Sequence, residues 1–162
     1  MKTLIIYYSQ GGTTDRVART LGKKLHADIL RIHDLKNREG FKNRIMSSIN
    51  AFRETKTDIV PANVDLTPYG TIYFGTPTWS GNPTPAIITI IDRCNLRGKD
   101  VILFATMDSN RGESNIARLE EKVKMRGARV IESFTIATKN KDPEQLAKDT
   151  EAIIEMKDLR MY

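Results

Sequence analysis

The strongest constraint on this chain is its opening run, Thr3-Leu4-Ile5-Ile6-Tyr7-Tyr8, which passes directly into Ser9-Gln10-Gly11-Gly12-Thr13-Thr14 and then into a helical pattern. A strand with one wet face alternates apolar and polar residues, because successive side chains point to opposite sides. This run does not alternate, so both of its faces must be covered. The next segment, Thr14–Leu25, supplies a cover: Val17, Ala18, Leu21 and Leu25 fall on one helical stripe. The alternation then repeats. Ala27–Ile32, Tyr69–Phe74 (after Pro68, closed by Gly75), Val101–Ala105 and Arg129–Ala137 read as strands. Pro85–Arg93 reads as a helix with Pro85 at its first position. Glu113–Arg126 reads as another, with Ile116, Leu119 and Val123 inward and Gly127 as its stop. A last helix begins at Asp142, where Pro143 and Gln145 complete a capping-box signature. Leu146, Ile153 and Ile154 form its core face. Between Asp34 and Asn63, Phe41, Ile45, Ile49 and Phe52 recur at helical spacing, which predicts an amphipathic helix and then a loop through Pro61.

Five strands joined by helical crossovers imply an α/β fold with a doubly wound parallel sheet, a three-layer αβα sandwich. The 162 residues fit one domain. Hydrophobic residues make up 40% and charged residues 28%, which excludes a disordered chain. No apolar run approaches the roughly 20 residues of a membrane span, and Met1 leads straight into a strand without a signal-peptide cleavage site. The expectation is a cytoplasmic protein with no membrane partner. Cys94 is the only cysteine, which rules out an intrachain disulfide, a Cys-x-x-Cys pair and an all-cysteine iron–sulfur centre. Cys94 is expected to be a buried, inert thiol, and His26 and His33 to be surface or structural. Redox chemistry would therefore need an organic cofactor. The net charge is +6, and between Lys36 and Asp58 six Lys/Arg stand against three acids. That run reads first as a solvated face, with an acidic partner or anionic cosubstrate as the alternative. No nucleic-acid motif accompanies it.

In an open α/β sheet, ligands bind beyond the carboxyl ends of the strands. Three loops there are unusual. In the first, Ser9-Gln10-Gly11-Gly12-Thr13-Thr14, the glycines let backbone N–H groups turn toward one point, and the helix start adds free donors. Ser9, Thr13 and Thr14 add hydroxyls. Such a set suits a phosphate; a simple helix cap on a tight turn is the plain alternative. The sequence has neither Gly-x-x-x-x-Gly-Lys-Ser/Thr nor Gly-x-Gly-x-x-Gly, so neither a P-loop nor an ordinary dinucleotide fingerprint is present. The second loop, Gly75-Thr76-Pro77-Thr78-Trp79-Ser80-Gly81-Asn82-Pro83, holds the only tryptophan, a flat apolar face for a planar ligand or a side chain folded onto the core. The third, Thr106-Met107-Asp108-Ser109-Asn110-Arg111-Gly112, is polar and could close over such a ligand. A phosphorylated flat heterocycle matches all three.

These loops resemble those of the flavodoxin family. Ser9-Gln10-Gly11-Gly12-Thr13-Thr14 is similar to its Ser/Thr-x-Thr-Gly-x-Thr phosphate loop, with glycine at the third position. Gly75, Pro77, Trp79, Pro83 and Pro85 are similar to its Gly-x-Pro-x-aromatic pattern. The segment around Gly40-Phe41 resembles an element of some short flavodoxin-like proteins. The resemblance implies FMN and strand order 2-1-3-4-5. It implies cofactor contacts from Ser9, Gln10, Gly11, Gly12, Thr13 and Thr14, from Pro77, Thr78, Trp79, Ser80, Gly81 and Asn82, and from Met107, Asp108, Ser109 and Gly112. There are two departures: the third loop has no tyrosine, and the chain is basic where many carrier flavodoxins are acidic. The functional expectation is an electron carrier serving a redox protein or a small-molecule donor or acceptor. The alternatives are an NAD(P)H-dependent flavin or quinone reductase, in which the basic segment and Arg111 attract the nucleotide phosphate, and a non-redox binding module on the same fold. No metal and no catalytic acid, base or nucleophile is expected.

Overall fold

The structure is a computed structural model that describes residues 1–36 and 56–162. The predicted helix carrying Phe41, Ile45, Ile49 and Phe52 lies outside the described residues. Five strands form the parallel part of the sheet: β1 (Lys2–Tyr8), β2 (Asp28–Asp34), β4 (Tyr69–Pro77), β5 (Asp100–Met107) and β6 (Arg129–Ala137). A two-residue strand, β3 (Ile59–Val60), pairs antiparallel with the outer edge of β2, giving the order β3-β2-β1-β4-β5-β6. Within the parallel part this is the expected 2-1-3-4-5 order. The added edge strand was not foreseen, because two residues are too few to show a period.

Consecutive residues of the central strands enter different cores. Leu4, Ile6, Ile72, Phe74, Val101 and Leu103 pack with the helix α2 (Pro85–Asp92) and with Ile116, Leu119 and Val123 of α3 (Gly112–Met125). Ile5, Tyr7, Tyr73, Ile102 and Phe104 pack on the other face with Val17, Ala18 and Leu21 of α1 (Thr13–Leu25) and Leu146 and Ile154 of α4 (Pro143–Met156). This double burial is why the strands read as continuous apolar runs.

Helix ends follow their sequence signals with one difference. Gly127, at φ 92°, ends α3, and the N–H groups of Gly127 and Ala128 bond back to Lys124 and Val123. Asp142 caps α4 by accepting the Gln145 N–H at 2.8 Å. Gln145 does not complete a reciprocal box. Its side-chain amide donates to Asp149 at 2.8 Å, a charged acceptor one turn on.

The strand β4 runs past Gly75 to Pro77, because Gly75, Thr76 and Pro77 pair with Phe104, Ala105 and Thr106 of β5. Gly75 is there for space. A Cβ on it would stand 2.0 Å from the Phe104 ring, which is itself stacked on Phe134 at 5.5 Å. Gly75→Ala must displace that ring pair, at a cost of about 2–3 kcal/mol in a urea denaturation series.

Candidate functional site

The first loop is built around Ser9. Its hydroxyl is turned into the start of α1, where it accepts the N–H groups of Gly12 and Asp15, each at 3.1 Å. Gly12 sits at φ 98°, a conformation that glycine adopts without strain. A helix start leaves its first N–H groups without intrahelical acceptors. Ser9 takes two of them, and those of Thr13 and Thr14 find no acceptor among the described residues. A Cβ built on Gly11 or Gly12 would meet none of the described residues within 4 Å, so among them the space over the loop is open.

The Thr14 hydroxyl does not face that space. Thr14 is buried and its Oγ1 lies 2.8 Å from Thr106 Oγ1, tying the start of α1 to the end of β5. The reason is periodic: Thr14, Val17, Ala18 and Leu21 share the inward stripe. Thr14 can offer a ligand its N–H and not its hydroxyl.

The second loop is a two-residue hairpin. Trp79 and Asn82 exchange both backbone hydrogen bonds, at 2.9 and 3.0 Å, across Ser80 and Gly81, which have φ of 51° and 77°. Positive φ at both central positions is the type I′ pattern. The Trp79 ring is half-buried and meets Tyr8 edge to face at 5.9 Å. Below it, Thr78 Oγ1 donates to the Thr106 carbonyl at 2.8 Å. The fully buried Asn115 donates to Thr78 Oγ1 at 2.9 Å and to the Pro77 carbonyl at 3.2 Å. Ser114 donates to the Gly81 carbonyl at 2.6 Å. Asn115 and Ser114, on the first turns of α3, thus hold the loop in place. Neither was singled out from sequence. Their signal is faint, since polar residues in a first helical turn are common.

One cavity of about 430 Å³ unites the loops. Gln10 and Thr13 line it from the first, Pro77, Thr78, Trp79, Ser80 and Gly81 from the second, and Met107 and Asp108 from the third. Of the other expected residues, Ser9 and Thr14 are turned inward as described. Gly11 and Gly12 lie beside the wall under open space. Asn82 closes the hairpin through its backbone, and Ser109 is exposed away from the wall. Gly112 is buried, and a Cβ there would stand 2.8 Å from the Met107 sulfur and 2.7 Å from Thr135. It makes room for Met107 and does not touch the cavity. Thr106, Asn110, Arg111 and Thr138 also line the wall. Thr138 follows β6, whose loop showed no unusual composition.

Beside the first loop, the Asp15 carboxylate accepts hydrogen bonds from the Tyr7 hydroxyl and from Arg19, and lies 3.5 Å from Arg31. Arg31 also donates to the Ser9 carbonyl at 3.0 Å. Burial pushes Asp15 up, but the Tyr7 and Arg19 hydrogen bonds and the two guanidinium charges outweigh it, holding the carboxyl below its usual 3.8. An acid in this position would otherwise repel an anion bound at the helix start.

The described residues contain no cluster of His, Cys, Asp or Glu able to hold a metal ion. Cys94 is buried, and burial pushes its thiol up to about 11. His26 and His33 are exposed. No described helix is long and apolar enough to cross a membrane.

The Flavodoxin family model matches residues 2–133. The chain belongs to the flavodoxin family. Solved structures agree in fold. A flavoprotein from Lactobacillus acidophilus NCFM, determined in complex with FMN, is 25% identical with a TM-score of 0.72, over 83% of this chain and 92% of its own. A protein from Bacteroides uniformis ATCC 8492 is 23% identical with a TM-score of 0.77, over 93% and 97%. Oxidised Flavodoxin 2 from Bacillus cereus is 21% identical with a TM-score of 0.59, over 96% and 99%. A comparison with curated proteins found no match.

Two outcomes are expected. Thr14→Val removes one side of the buried hydroxyl pair and should cost about 1–2 kcal/mol in urea unfolding; adding Thr106→Val should cost less than a second such loss. Asp15 has a depressed native pKa, so the unfolded chain takes up its proton first as pH falls. Its contribution is full above about pH 4 and is lost as pH drops through the lower native value. Acid titration of stability should therefore be shallower below about pH 4 in Asp15→Asn than in the wild type.

Proposed function

We propose that this chain binds FMN without a covalent link and passes electrons through it. The observation that carries this reading is the shared cavity: the first-loop residues Gln10 and Thr13 and the indole of Trp79 line the same space. A cavity of about 430 Å³ is within the ordinary range for small-molecule sites.

The residues fit the group. The N–H groups of Thr13 and Thr14, the open approach over Gly11 and Gly12 and the Thr13 hydroxyl make a neutral donor set at a helix start, suited to a phosphate dianion. Trp79 offers one flat face, and Met107 is the apolar group that the third loop, which has no aromatic residue, brings to the wall. Bound FMN would supply one- and two-electron chemistry; the protein supplies position and electrostatics. The hairpin carrying Trp79 is braced at Pro77, Thr78 and Gly81 by Asn115, Thr106 and Ser114, so its shape is set before a ligand arrives. No residue on the wall needs to act as an acid, base or nucleophile for this role. We place the protein as a single domain serving a redox protein or a small-molecule donor or acceptor.

The test is a titration of the purified chain with FMN and with riboflavin, followed by stepwise reduction. FMN should bind the more tightly, since riboflavin leaves the helix-start donors empty. Trp79→Ala should weaken both ligands by about 1–2 kcal/mol through loss of the stacking face. Binding of neither ligand, or unchanged binding in Trp79→Ala, would overturn the assignment. Rapid NADPH oxidation by the FMN-loaded protein alone would replace the carrier role with a reductase role.

A further inference from the structure

Among the described residues, the cavity wall carries two charged side chains, Asp108 and Arg111. Arg111 stands immediately before α3 with φ 69°, a left-handed backbone that side chains rarely adopt. Its guanidinium lies along the hairpin that carries Trp79: a Cβ on Gly81 would stand 3.3 Å from both Nε and Nη2. Gly81 leaves that space free. By contrast, Arg19 is tied to Asp15 at 2.9 Å and Arg129 to Asp100 at 2.7 Å, and Arg93 and Arg126 donate to the carbonyls of Ala62 and Cys94. Arg111 has no carboxylate or carbonyl partner among the described residues. It is exposed at the rim, at the indole end of the cavity rather than beside Ser9 and Gly12.

We propose that Arg111 determines which redox form the pocket prefers, its guanidinium favouring the reduced, anionic flavin ring over the neutral oxidised one. This rests on the FMN reading above. The physical basis is a difference. A neutral ring gains little from a nearby cation, whereas a ring carrying a negative charge gains a Coulomb attraction that a partly desolvated pocket screens less than water. Asp108 on the wall and Glu113 in the first turn of α3 oppose this attraction. The start of α3, aimed at the same rim, adds to it. The third loop thus does the work of a charge and not of an aromatic lid.

The experiment measures the dissociation constants of oxidised and reduced FMN under anaerobic conditions for the wild type, Arg111→Gln and Arg111→Lys. Both substitutions keep a Cβ at the left-handed position, so the backbone cost is unchanged. Arg111→Gln should lose about five-fold in affinity for reduced FMN and less than two-fold for oxidised FMN. Arg111→Lys should restore most of the difference. Because the group is exposed, the wild-type preference should shrink as salt rises. An equal loss for both redox forms would mean that Arg111 acts on the phosphate or on loop shape, and would overturn the proposal. Unchanged affinities would overturn it too. If the wild type binds neither form, the FMN reading itself has failed, which is distinct from an unaltered redox preference in a protein that binds.

Discussion

Every feature of this molecule depends on the burial of both faces of a parallel sheet. Leu4 and Ile6 enter one core and Ile5 and Tyr7 the other, and the same division holds along β4 and β5. A strand wetted on either side would expose those residues at about 25 cal/mol per Å². Helices therefore cover both faces, and the ends of the strands are the places left for a ligand. The chemistry must come from loops, while the sheet sets the spacing between them.

The loops are held by short, mostly neutral hydrogen bonds. Thr106, at the end of β5, is the common anchor: its hydroxyl meets Thr14 of the first loop and its carbonyl accepts from Thr78 of the second. Asn115 adds two bonds to the second loop from the opposite side. Buried neutral pairs of this kind place atoms accurately without the desolvation cost of ions. Charge is kept to the margins. Asp15 is neutralised by Arg19, Arg31 and the Tyr7 hydroxyl beside the first loop, and Arg111 stands at the rim of the cavity. A dianion at the helix start and an electron-rich ring near the indole are both favoured by that arrangement.

The local patterns of the amino-acid sequence determined the five strands and the helices between them, since both the continuous apolar runs and the helical stripes are local; the strand order came from the resemblance of the loops to a family and not from any local pattern. The sequence also located the three loops, because glycine-rich and proline-rich turns after buried strands are visible without coordinates. It could not decide which way each loop side chain faces. Thr14 looked like a phosphate donor because it stands at the end of a glycine turn, yet the 3.6-residue period of its own helix sends its hydroxyl to Thr106. Ser9 looked like a direct ligand, yet its oxygen completes the helix start. Gly112 looked like part of the wall and proved to be space for Met107 and Thr135. The edge strand β3, the bracing by Asn115 and Ser114 and the place of Thr138 in the cavity all join residues far apart in the chain. Contacts of that kind exist only once the sheet has brought the loops together, so tertiary structure alone decided them.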